Sequence, residues 1–87
     1  MLKIIYTDKN KKVCLNSEKI IAIIPENGYI HFVTQIEHET NYRYEFGFKY
    51  FVEEKYLKKL HKIITDKWGN TNIDVDKELE IIKEAEQ

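Results

Sequence analysis

Between positions 42 and 51, aromatic residues occupy alternate places: Tyr42, Tyr44, Phe46, Phe48 and Tyr50. Arg43, Glu45, Gly47 and Lys49 fill the positions between them. Only an extended strand turns a period of two into one face, because successive side chains of a strand point to opposite sides. A helix would scatter these rings around its circumference. The segment is a β-strand with one aromatic face, and the chain that carries it must supply a sheet and a core to cover that face.

The upstream half supplies the sheet. Residues 2–7 are apolar and β-branched, and the polar run Asp8-Lys9-Asn10-Lys11-Lys12 separates them from a short strand, Val13-Cys14-Leu15. That pattern predicts a hairpin. After Asn16-Ser17-Glu18-Lys19 comes Ile20-Ile21-Ala22-Ile23-Ile24, a third strand whose unbroken apolar run predicts burial on both faces and which stops at Pro25. Asn27-Gly28 marks a tight turn into a fourth strand over 29–37. Its even positions, Ile30, Phe32, Thr34 and Ile36, match the aromatic face of the fifth strand, so that face reads as core. Gly47, inside the aromatic strand, predicts a bulge or a close backbone approach.

After Val52 the period lengthens. Tyr56, Leu57, Leu60, Ile63 and Ile64 recur at helical spacing, opposite Lys55, Lys58, Lys59 and Lys62. This predicts an amphipathic helix over 53–68, with Gly69 as its left-handed cap. Asn70-Thr71-Asn72 reads as a loop. Asp74 or Asp76 then caps a second helix over 75–86, with Leu79, Ile82 and Ala85 inward. The expected fold is α+β, a single domain over 1–87. A curved antiparallel β-meander of four to five strands (2–51) precedes one helix packed on a face of the sheet and a short C-terminal helix.

One set of residues exceeds what this plan buries. Ile5, Ile21, Ile23, Tyr29, Val33 and Phe51 fall on odd positions, the face that a single helix leaves uncovered. They form a candidate apolar interface, to be closed by curling of the sheet, by the terminal helix or by another chain, including a second copy in a homodimer.

Composition narrows the functional classes. A third of the residues are charged, yet the net charge is −1. The charges come in blocks. Residues 1–19 hold five lysines against Asp8 and Glu18, and 20–48 hold Arg43 against four glutamates. Residues 49–73 hold six lysines against three acids, and 74–87 hold two lysines against six. Such alternation describes a dipolar surface, whereas a dedicated nucleic-acid binder carries a marked basic excess. Arg43 is the only arginine among fourteen basic residues, a bias of AT-rich coding that suits a bacterium, or a phage or plasmid living in one. With Cys14 as its only cysteine the chain forms no internal disulfide, and no apolar run approaches the roughly 20 residues of a membrane span. The first eight residues turn polar too early for a secretory leader. The expected setting is the cytoplasm, with no membrane contact.

No catalytic, metal or cofactor motif is present in the pattern. His31, His38 and His61 stand at no metal-ligand spacing with Cys14, which reads as a buried, inert thiol. Glu37 and Glu39 flank His38 in a polar turn, where such residues are expected without chemistry. The function expected is therefore that of a small non-enzymatic protein-binding module, an accessory or inhibitor protein of a phage or plasmid being one such role. The alternative is nucleic-acid binding through Lys55, Lys58, Lys59 and Lys62, with Lys9, Lys11 and Lys12 as a second basic cluster and exposed sheet aromatics as stacking platforms.

Overall fold

The computed structural model describes residues 2–39 and 42–86, with the backbone alone for 35–39 and 42–46. Along the chain come β1 (Lys3–Asp8), β2 (Lys11–Asn16), β3 (Ala22–Glu26), β4 (Tyr29–Glu39), β5 (Tyr42–Phe51), α1 (Glu54–Lys67), β6 (Ile73–Asp74) and α2 (Val75–Ala85). The fold is α+β, as the periodicities predict.

The strands make two three-stranded sheets, ordered β2-β1-β6 and β3-β4-β5. The break falls at a 3₁₀ turn, Ser17–Lys19, where Asn16 Oδ1 accepts the Glu18 N–H at 3.0 Å. The Ser17 N–H donates to Leu2 O at 3.0 Å, so the chain is tied to the start of β1 before it leaves. Ile20 then plugs the junction as a buried residue. For this reason β3 begins at Ala22, two residues later than the apolar run suggests, and it runs through Pro25. Proline is tolerated there because β3 is an edge strand.

The turn at Asn27-Gly28 has a further consequence. Two-residue hairpins pair positions of opposite parity, and here Ile23 stands opposite Phe32, with Glu26 opposite Tyr29. Ile23 thus sits on the core side and packs against the core, not on the surplus face. Between β4 and β5 parity is kept, with Ile30 opposite Tyr50 and Phe32 opposite Phe48.

The two sheets share one core. The Tyr6 ring of β1 stacks on Phe32 at 5.9 Å between centroids and meets Tyr50 edge-on at 5.3 Å. Helix α1 lays Leu57, Leu60 and Ile64 onto this layer and packs against β3, β4 and α2. It ends where expected, with Gly69 at φ +82° just beyond Trp68. Helix α2 contributes Val75 and Ile82, while Leu79 is partly buried and Ala85 is exposed. Asp74 caps it by accepting the Lys77 N–H at 3.2 Å. The loop read at 70–72 leads into β6, two residues that pair in parallel with Ile4 and Ile5. A strand of two residues has no periodicity to read.

The β1–β2 turn places two non-glycine residues in the left-handed region, Lys9 at φ 48° and Asn10 at φ 67°. This is the mirror-type hairpin turn that favours Asn-Gly. The double substitution Lys9→Asn, Asn10→Gly should stabilise the chain by about 1 kcal/mol, raising the thermal midpoint by roughly 4–8 °C. Circular dichroism melts measure it, and an unchanged or lower midpoint contradicts this turn geometry.

Candidate functional site

A sheet is open to partners along its edges, where backbone N–H and C=O groups lack a neighbouring strand. Each of the four edges here is treated differently. Along β3, Pro25 has no N–H to offer, and His61 of α1 places Nε2 2.9 Å from the Ile23 carbonyl oxygen. β6 is two residues long and runs straight into α2. β2 is six residues long and opens with the exposed Lys11 and Lys12. β5 is ten residues long, and among the described residues only β4 pairs with it.

The phase of β5 follows from one hydrogen bond. The Val52 N–H donates to Gly28 O at 3.0 Å, so even-numbered residues of β5 bond to β4. The N–H and C=O groups of Gly47, Lys49 and Phe51 therefore turn to the open side, and these three residues are exposed. Phe48, expected in the core, is 42% exposed, and Phe51 is 67% exposed. Phe48 escapes burial because it lies on the outermost strand, whereas α1 covers β3 and β4. Tyr50, one turn of the pleat away, is buried. On the opposite face, Lys49 Nζ stands 4.9 Å above the Tyr29 ring, and the Phe51 ring lies 5.6 Å from it.

Halfway along the hairpin the register slips by one residue between Val33 and Gln35. Gly47 faces this bulge, and a Cβ there would stand 2.1 Å from Phe32 O and 2.8 Å from His31 Nε2. The glycine is thus required by a close approach, as its place in the strand predicts. Pairing of β3 with β4 stops at Val33. Beyond it, 34–39 and 42–46 run as a two-stranded ribbon, and among the described residues no third strand joins them. Ribbons of two strands are marginal without something packed on them. The side chains of Tyr42, Tyr44 and Phe46, and those of Glu37, His38 and Glu39, lie outside the described residues.

The candidate apolar residues do not form one patch. Phe51 and Tyr29 come together, Ile21 is 50% exposed ahead of β3, and Ile5 is half-buried on β1. Val33 is buried and Ile23 packs on the core.

The lysine face of α1 is largely answered from within the chain. Lys62 pairs with Asp66 at 2.9 Å, Lys59 with Glu86, and Lys55 with Glu53 at 3.7 Å. Hydrogen bonding to Tyr56, reinforced by Glu53, holds the Lys55 pKa above its ordinary value. Lys58 borders a groove with Pro25, Glu54, Leu57 and His61. Lys9 instead lines a polar cleft with Lys49, Tyr50, Phe51 and Asp76, at the far end of β1. The two basic clusters thus border different surfaces. A separate apolar groove of about 410 Å³ runs between α1 and α2, floored by Ile63, Ile81 and Ile82.

Asp76 holds the C-terminal end of β5 in place. Its Oδ1 accepts the Tyr50 hydroxyl at 3.0 Å, and its Oδ2 accepts the Thr7 N–H at 2.7 Å. Sequence reading had Asp76 only as a possible cap, since its partners lie far away in the chain. Cys14 is exposed, which corrects the buried thiol expected: it pairs with Ile5 on the outer face, while Ile4 and Leu15 face the core. Among the described residues no group of His, Cys, Asp or Glu is placed to hold a metal ion, and no helix is long and apolar enough to cross a membrane.

No family model, curated protein or solved structure matches this chain.

Two measurements check the clasp. Asp76→Ala leaves the part-buried Tyr50 hydroxyl and the Thr7 N–H without their acceptor and should cost about 1–3 kcal/mol in urea denaturation, more than Tyr50→Phe. The second is alkaline. Burial, aided by Asp8, pushes the Tyr6 pKa up to about 12, and burial and the Asp76 hydrogen bond raise Tyr50 further. Both tyrosines keep their protons in the folded state after the unfolded chain has lost them near pH 10. Stability is therefore intact below about pH 10 and falls as pH rises towards 12. Absorbance at 295 nm should show two tyrosines ionising only with unfolding, a late phase that the Tyr6→Phe, Tyr50→Phe double variant lacks.

Proposed function

We propose that this chain is a small non-enzymatic protein-binding module that takes an extended segment of another protein as an added strand along the open edge of β5. What carries the reading is that edge: ten residues long, with the N–H and C=O groups of Gly47, Lys49 and Phe51 turned outward in the stretch that also exposes the Phe48 and Phe51 rings. Strand addition uses main-chain hydrogen bonds for affinity and alternate side chains for specificity. Phe48 and Phe51 stand on opposite faces and offer one apolar contact to each side of an incoming strand. Nucleic-acid binding through α1 has less support, because a phosphate would have to displace Glu53, Asp66 and Glu86 from the lysines. Action in the cytoplasm, as an accessory or inhibitory binder of a phage or plasmid, fits the single cysteine and the AT-rich coding bias.

The test is a selection from a displayed library of random ten-residue peptides. The peptides recovered should carry two apolar residues three positions apart, one for each face of the added strand. They should bind Lys49→Pro at least tenfold more weakly, since that substitution removes an outward N–H and obstructs the edge. Simultaneous glutamate substitution of Lys55, Lys58, Lys59 and Lys62 should leave them bound. Peptides indifferent to Lys49→Pro and to Phe51→Lys, both verified as folded by circular dichroism, would sink the reading. A random-sequence oligonucleotide bound with steep salt dependence, and released by the four glutamates, would move the function to the lysine face.

A further inference from the structure

We infer that the strand added to β5 is the β5 of a second copy of this chain, antiparallel to it about a two-fold axis at Gly47. The inference rests on the reading of β5 as a docking edge and names its occupant.

Backbone phase restricts the choices first. Only odd-numbered residues of β5 direct N–H and C=O outward, so a symmetric pair must set odd residues against odd ones. An axis passing through a residue meets that condition, and an axis between residues does not. Charge then separates the remaining registers. With the axis at Gly47, Glu45 stands opposite Lys49 twice, Phe46 opposite Phe48, and Arg43 opposite Phe51. An axis at Phe46 sets Arg43 against Lys49. Axes at Glu45 or Lys49 set a charge against itself, and an axis at Phe48 gives no ion pair. An axis at Tyr44 pairs Arg43 with Glu45 but spans only 42–46 of β5. The register about Gly47 alone spans 43–51, brings opposite charges together and sets no like charges face to face.

Two further features fit the same axis. Phe48, exposed beyond the reach of α1, gains an aromatic residue opposite it. The two-stranded ribbon over 34–39 and 42–46 gains a third strand along part of its length. Five hydrogen-bonded residue pairs exchange about ten backbone hydrogen bonds. An interface made of one strand pair is smaller than the roughly 1,200–2,000 Å² of specific, stable complexes, so a dimer exchanging at micromolar concentration is expected. A strand from another protein would then compete with the second copy for one edge.

The experiment is sedimentation of the full chain over a dilution series from about 1 to 300 µM, bracketing that micromolar range. Wild type should pass from monomer to dimer. Lys49→Glu and Glu45→Lys should each weaken the dimer at least tenfold, and the Glu45→Lys, Lys49→Glu double variant should recover it. Circular dichroism confirms that each variant is folded. Wild type that stays monomeric overturns the inference, as does a dimer indifferent to both single reversals or a folded double variant that fails to recover. If the same monomer still loses its selected peptides on Lys49→Pro, the edge reading stands and only the second copy is excluded. A charge-rescued dimer that selects no peptides confines β5 to self-pairing.

Discussion

The relation between the two sheets depends on one carboxylate in the first turn of α2. Asp76 takes a backbone N–H from β1 on one oxygen and the Tyr50 hydroxyl of β5 on the other. Its place at a helix N-terminus suits a negative charge. The first contact ends the edge of β1, because Thr7 is occupied where β6 has already stopped pairing. The second anchors β5 beneath Tyr6, whose ring joins the sheets through Phe32 and Tyr50. With β1 closed by β6 and α2, and β3 closed by Pro25 and His61, the longest edge that no second strand pairs among the described residues is that of β5. The candidate site follows from how the other edges are finished.

Much of the fold was legible because its periods are clean. The alternating aromatics defined β5, the three-to-four spacing from Tyr56 to Ile64 defined α1, and Gly69 marked the end of one helix, with Asp74 or Asp76 marking the start of the next. The errors share a cause in pairing between distant segments. Whether Ile23 faces in or out depends on the parity set by the Asn27-Gly28 turn, and its own neighbours are apolar on both sides. Cys14 is exposed because its partner strand presents Ile5 outward, a fact of β1 and not of β2. One sheet became two because Asn16 and Ser17 tie the chain to Leu2, and an Asn-Ser pair in sequence signals only a turn.

The site was less legible than the fold. That β5 carries aromatics was plain, but that it lies at an edge depends on strand order, which no local pattern encodes. Burial of Phe48 was inferred from its period, whereas its exposure depends on how far α1 reaches across the sheet. The lysine face shows the same limit. Lys62 and Asp66, four apart on a helix, announce their pairing, while Lys59 finds Glu86 across the α1–α2 packing. The face looked free because its answering charges sit in another block of the chain.

An open edge of ten residues is a hazard unless its choice of neighbour is restricted, since main-chain groups accept any strand. The lysines that open β2 repel each incoming copy alike. β5 is different in kind, because Arg43, Glu45 and Lys49 mix the signs along its outward-bonding positions. Mixed signs penalise some registers with like-charge contacts and reward another, so they select among strands where a uniform charge would refuse them all. Gly47 is fixed separately, by the bulge in β4, which admits no side chain at that point of the strand. An edge built only to stay solvated has no need of a register. The arrangement along β5 discriminates between registers, and that property suits the pairing proposed for this edge.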